Sequence, residues 1–109
     1  MNLTELCKTS HAVAVEKGWY EQERKLPELL MLVVSELAEA LEDYRGGYGC
    51  NETYYEGQGK PCGIPTEIAD AVIRIGDLCG AFGIDLEKAV TEKMAYNLHR
   101  PHRHGGKVA

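Results

Sequence analysis

The chain has 109 residues, 44% of them hydrophobic and 27% charged, enough for one domain in which roughly 65% of the unfolded surface is buried, and too few for two. Its longest apolar run, Leu29 to Val34, is far too short to span a bilayer, and the opening Met-Asn-Leu-Thr-Glu-Leu-Cys-Lys has no basic segment followed by an apolar one, so the expectation is a cytoplasmic protein with no membrane partner. The net charge of −5 is uneven, with 8 basic and 17 acidic residues in 1–92 against 4 basic and no acidic residues in 93–109, a pattern that argues against nucleic-acid binding and for a small local anion site.

Asn2 followed by Glu5 reads as a capping box, and Leu3, Leu6, Val13 and Ala14 then predict a first helix ending at Gly18. Trp19-Tyr20 begins a connection. A second helix is expected over 27–45, with Pro27 in its first turn, where the missing N–H costs nothing, and Gly46-Gly47 as its stop. The spacing i, i+3, i+4, i+7 assigns its main core stripe to Leu30, Val33, Val34, Leu37, Ala38, Leu41 and Tyr44. Glu36, Glu39 and Asp43 lie off that stripe and share their sector with Leu29 and Leu32, a mixed face such as a pocket wall presents.

Residues 46–63 are rich in glycine, hold Tyr48, Tyr54 and Tyr55, and have no helical period. Loops longer than about 12 to 15 residues are uncommon in compact domains and often functional, so this one reads as a flap or a subunit contact. Cys50 and Cys62 bracket it without ligand-spaced partners, whereas Cys7 and Cys79 read as small core residues. Pro65 opens a third helix over 65–82 and Gly83 closes it; Asp85 caps a fourth, which ends near Leu98 before Pro101. Lys93, Asn97 and Arg100 share one face of helix 4, and the basic tail 99–109 follows. Cations there also gain about 0.3 to 1 kcal/mol each from the helix dipole.

The chemistry concentrates in two carboxylate pairs, Glu36-Leu37-Ala38-Glu39 and Glu67-Ile68-Ala69-Asp70, 31 residues apart. Residues three apart on a helix share a face, so each pair can aim two carboxylates at one spot. Such pairs are also common on solvated helices, and their surroundings decide. After Thr66 the polar residues of helix 3 are Glu67, Asp70, Arg74 and Asp77, on a stripe about 80° wide at 100° per residue, and the rest is apolar or small. A helix this apolar is expected to be enclosed on most sides, its stripe facing a thin strip of solvent or a lined cavity. Four carboxylates from two helices suit a hard divalent cation, which takes oxygen ligands and is completed by water and phosphate.

Four segments in order, Glu-Lys-Gly-Trp at 16–19, Ser-Glu-Leu-Ala-Glu-Ala-Leu-Glu at 35–42, Gly-Ile-Pro-Thr-Glu-Ile-Ala-Asp-Ala-Val-Ile-Arg at 63–74, and Lys93 through Lys107, give the chain a resemblance to the MazG-like nucleoside triphosphate pyrophosphohydrolases of the all-α NTP pyrophosphatase superfamily. The resemblance implies one all-α domain over 1–109, a four-helix bundle completed by pairing into a homodimer or homotetramer. It implies hydrolysis of (d)NTP to (d)NMP and pyrophosphate in nucleotide house-cleaning, with Mg2+, or Mn2+ in its place, as cofactor. Glu36, Glu39, Glu67 and Asp70 then match the metal ligands, Lys93, Asn97, Arg100 and Lys107 the triphosphate-binding end, with Glu36 and Glu39 as catalytic carboxylates and Glu39 as the candidate base. Trp19 is placed either stacking on the base or packing at a subunit boundary. Ser35 stands where many relatives have another acid, which leaves the number of metals open. The alternatives are a non-catalytic metal- or nucleotide-binding helical module and hydrolysis of phosphoribosyl-ATP.

Overall fold

The structure is a computed structural model describing residues 1–108; Ala109 and the side chain of His104, both in the basic tail, lie outside the described residues. Its elements are α1 (Leu3–Glu16), α2 (Leu26–Arg45), a hairpin of β1 (Tyr54–Glu56) and β2 (Lys60–Cys62), α3 (Ile64–Phe82), α4 (Leu86–Leu98) and the single turn α5 (Arg103–Gly106). The chain is therefore mostly helical, as expected, with one small antiparallel sheet. Among the described residues no helix is long and apolar enough to cross a membrane.

The helix ends obey the local chemistry of the sequence. The Asn2 side chain accepts from the Glu5 N–H at 2.8 Å, and Asp85 accepts from the Lys88 N–H at 3.1 Å, each satisfying an otherwise orphaned donor. Pro27 and Pro65 occupy first turns, and Gly83 ends α3 in the left-handed conformation at φ 67°. The basic tail 99–109 contains the turn α5.

The segment 46–63 is not wholly irregular. Tyr54 pairs with Cys62, Tyr55 with Pro61 and Glu56 with Lys60. The hairpin is anchored to α2: the Tyr54 hydroxyl donates to Asp43 Oδ1 at 2.8 Å, and Tyr48 stacks on Tyr54 with centroids 4.2 Å apart. Gly63 links β2 to α3 at φ 121°, and a Cβ there would collide with the Glu52 carbonyl oxygen, so only glycine makes this junction.

Helix α3 is central, packing along both α1 and α2, while α4 rests against α1. The core consists of Cys7, Leu29, Val33, Ala71, Leu78 and Cys79, with Leu26, Leu32, Ile75 and Leu86 packed on it. Gly80 permits the close approach of α1: a Cβ there would stand 2.6 Å from His11 Cβ.

The expected core stripe of α2 is corrected. Its buried residues are Leu29, Val33 and Glu36, whereas Leu30, Val34, Leu37 and Leu41 are about half exposed and Tyr44 is 66% exposed. Helix α2 has two apolar faces, and periodicity alone does not say which one α3 covers. Helix α3 is likewise not enclosed within one chain, since Ile68, Val72 and Ile73 are exposed.

Candidate functional site

The site forms where the first turn of α3 meets the middle of α2. The tight exit from the hairpin at Gly63 starts α3 so that the Glu67 N–H bonds the Gly63 carbonyl at 2.9 Å, and Glu67 falls in the favourable first turn of the helix dipole. Its carboxylate thereby points at α2. Glu36, Glu67 and Asp70 each offer an oxygen, and these three atoms lie within 4.8 Å of one another. Glu36 and Glu67 are buried and Asp70 half-buried. Glu39, one turn along α2, is exposed but close enough to Glu67 to affect its protonation.

The electrostatics of this cluster are unsatisfied. Glu67 is only 8% exposed, and its Oε2 has no hydrogen-bond partner. Burial, then the neighbouring Glu39 and Glu36 carboxylates, push its carboxyl up to about 7. Asp70 is raised as well, by burial and then by Glu36, with Arg74 opposing. Glu36 has an internal counter-ion, its Oε1 accepting from Arg74 Nε at 2.8 Å. A divalent cation fits this donor set: it would engage the orphaned oxygen, offset the repulsion and find only hard oxygen ligands in the cluster.

Two cavities adjoin the carboxylates. The first, about 300 Å³, has Glu36 and Asp70 at its edge, the cations Lys17, Arg24 and Arg74 around it, and Trp19 and Asp77 in its wall. The Arg24 guanidinium lies over both the Trp19 and the Tyr20 rings, 5.5 and 5.6 Å from their centroids. Tyr20 is tied down by its hydroxyl, which donates to Asp77 Oδ1 at 2.9 Å, and burial and this carboxylate push it up to about 12. His11 Nδ1 sits 3.0 Å from the same oxygen, with its ring edge-on to Tyr20. This knot fastens the connection between α1 and α2 onto α3 and so places Trp19 and Arg24. The second cavity, about 390 Å³, is lined by Glu67 itself with Glu39, Asp43, Tyr54, Lys60 and Cys62 among others.

The structure thus brings Glu36, Glu67 and Asp70 together, sets Glu39 beside them, and puts Trp19, 63% exposed, in the wall of the first cavity. It does not bring the expected phosphate-binding end to the same place within one chain. Lys93 and Arg100 flank the Tyr96 ring, 5.0 and 5.5 Å from its centroid, and neither they nor Asn97 nor Lys107 lines either cavity. Cys50 is exposed and Cys62 buried, and all four cysteines are free. Four charged residues lining the first cavity had no role assigned from the sequence. Arg74 and Asp77 carried a signal, since both lie on the polar stripe of α3, whereas Lys17 and Arg24 flank Trp19 in a segment without period. No family model, characterised protein or solved structure matches the chain, so the reading of this site rests on its own residues.

Proposed function

We propose that the chain is a MazG-like, Mg2+-dependent nucleoside triphosphate pyrophosphohydrolase that cleaves (d)NTP between the α- and β-phosphates. The observation that carries this reading is the trio of carboxylates that holds the orphaned Glu67 Oε2, two of which, Glu36 and Asp70, line a cavity together with three cations and an indole. Glu36, Glu67 and Asp70 would hold the metal, with Mn2+ as a substitute. When bound, the ion lowers the pKa of water and neutralises phosphate oxygens, which reconciles an acidic site with an acidic substrate.

The chain's own residues supply the remainder. Lys17, Arg24 and Arg74 line the cavity next to the carboxylates and offer charge-assisted donors to the phosphates. Glu39, exposed and beside Glu67, is the candidate base: its carboxylate takes a proton from the attacking water as the new P–O bond forms at the α-phosphorus and the Pα–O bond to the leaving pyrophosphate breaks. Trp19 offers an aromatic face to the base.

The active unit in this reading is a homodimer or a pair of dimers. The exposed apolar stripe of α2 and the unpartnered Ile68 and Val72 of α3 support it, and a second chain is the means by which Lys93, Asn97, Arg100 and Lys107 could approach the phosphates.

The test is product analysis over a panel of nucleotides with Mg2+ and with EDTA. NMP and pyrophosphate in equal amounts, abolished by EDTA and reduced at least a hundredfold by Glu67→Gln, are expected. Binding without turnover would favour a regulatory module, and selective cleavage of phosphoribosyl-ATP would redefine the substrate.

A further inference from the structure

One carboxylate in the first cavity is not explained by metal binding. Asp77 lies on the same stripe of α3 as Asp70 but seven residues further on, about 10 Å along the helix axis. Its side chain is 13% exposed, and both of its hydrogen bonds, from Tyr20 and with His11, fall on Oδ1. Oδ2 has no partner among the described residues and is not fully sealed from solvent, while Asp77 itself lines the cavity that holds Trp19. Arg74 sits between the two aspartates, one turn from each.

This spacing is a ruler for a nucleotide. With its phosphates between Asp70 and Arg74, a nucleotide laid along α3 would bring the far edge of its base to the level of Asp77, flanked by the Trp19 indole. A carboxylate is an acceptor only, and Oδ1 is already occupied. What remains is a single, fixed, negatively charged acceptor at the base edge.

We propose that Asp77 is a specificity-determining residue: its free oxygen accepts a hydrogen bond from the exocyclic amine of cytosine or adenine and repels the carbonyl that uracil and hypoxanthine carry at the corresponding position. The inference rests on the pyrophosphohydrolase reading. It assigns to this chain a preference for amino-bearing bases, because a carbonyl facing Oδ2 leaves two acceptors opposed and unpaired in a partly enclosed cavity.

The experiment measures kcat/KM for two near-isosteric pairs, dCTP against dUTP and dATP against dITP. A hydrogen bond to a charged group corresponds to a preference of about tenfold to a hundredfold for the amino partner in each pair. Asp77→Asn, whose amide presents a donor or an acceptor, should bring the dCTP/dUTP ratio close to one. Tyr20→Phe, which loosens the knot but leaves Oδ2 in place, should keep the preference above about fivefold. If Asp77 only tethers Tyr20, the two variants behave alike and the proposal is overturned. It is also overturned if the wild-type protein hydrolyses both members of each pair equally well, an outcome that leaves the pyrophosphohydrolase reading intact. Absence of turnover on every nucleotide would instead remove that reading, and the preference is then scored by calorimetry with nonhydrolysable dCTP and dUTP analogues, equal affinities contradicting it. The wild-type comparison holds even if Asp77→Asn proves too unstable to purify.

Discussion

Among the described residues, Glu67 Oε2 is the buried side-chain oxygen left without a hydrogen-bond partner, and its consequences are measurable without any substrate. Without a divalent cation it keeps its proton up to about pH 7, against an ordinary value of 4.5. The folded state therefore binds the proton more tightly than the unfolded chain does. The stability this contributes is present in full below about pH 4.5 and is lost as pH rises through 7. Thermal melts in EDTA should accordingly fall between pH 5 and pH 8, and Glu67→Gln should flatten that slope and melt several degrees above wild type at pH 8. An unchanged slope in the variant would locate the titration elsewhere. Saturating Mg2+ should flatten the wild-type curve too, and calorimetry near pH 7 in buffers of different ionisation enthalpy should show proton release on binding. Arg74 makes an opposite prediction. It competes with a cation for Glu36, so Arg74→Ala should bind Mg2+ several-fold more tightly in the absence of nucleotide and nucleotide several-fold more weakly, both read by titration calorimetry. Weaker metal binding in that variant would mean that Arg74 orients Glu36 for the ion.

Among the elements, the contact between α1 and α3 carries the wall of the first cavity, since it brings His11 to Asp77 and so places Trp19 and Arg24. Gly80→Ala would force its Cβ to within 2.6 Å of His11 Cβ and 2.9 Å of the Cys7 carbonyl oxygen. Overpacking of this kind costs about 1 to 3 kcal/mol, so urea unfolding should show a loss of that size; a neutral substitution would mean that α1 slides freely on α3. The helix ends were legible in the sequence because Asn2, Asp85, Pro27, Pro65 and Gly83 act on their own backbones. Glu67 and Asp70 were legible for a related reason, as i, i+3 spacing is local information; that α2 adds Glu36 to them and leaves Glu39 exposed beside the trio is decided by how the two helices meet. The hairpin was not. Its strands are three residues each, one contains Pro61, and it is held by Tyr54 reaching back to Asp43, eleven residues away. Nor could the sequence say that α3 covers the Leu29 and Val33 side of α2, because both faces are apolar and the choice is made by the neighbour. Lys17 and Arg24 stayed hidden because a turn places them by its shape rather than by a period.

At the scale of the whole molecule, one chain leaves too much surface open. Its accessible area is 8192 Å², against about 6,000 Å² for a compact monomer of 12.1 kDa. Its radius of gyration is 16.5 Å, where about 13 Å is usual for this length. The excess of about 2,200 Å² per chain, or about 4,400 Å² for two, falls within what obligate pairs of subunits bury in total, and Leu30, Val34, Leu37, Leu41 and Tyr44 form an apolar stripe on which a second copy is proposed to pack. Melting temperature should therefore rise with protein concentration. Leu37→Glu, at the middle of the stripe, should shift sedimentation equilibrium toward a single chain and lower both stability and activity. A folded, active species of 12.1 kDa at micromolar concentration would show that the stripe serves another purpose.

In the proposed function, water is directed to the α-phosphorus of a nucleoside triphosphate. Hydrolysis of dCTP in 18O-water with Mg2+, followed by mass spectrometry of the products, tests it most directly. One labelled oxygen in dCMP, unlabelled pyrophosphate and no reaction in EDTA are predicted; label in orthophosphate with dCDP as co-product, or undiminished turnover in EDTA, would contradict it.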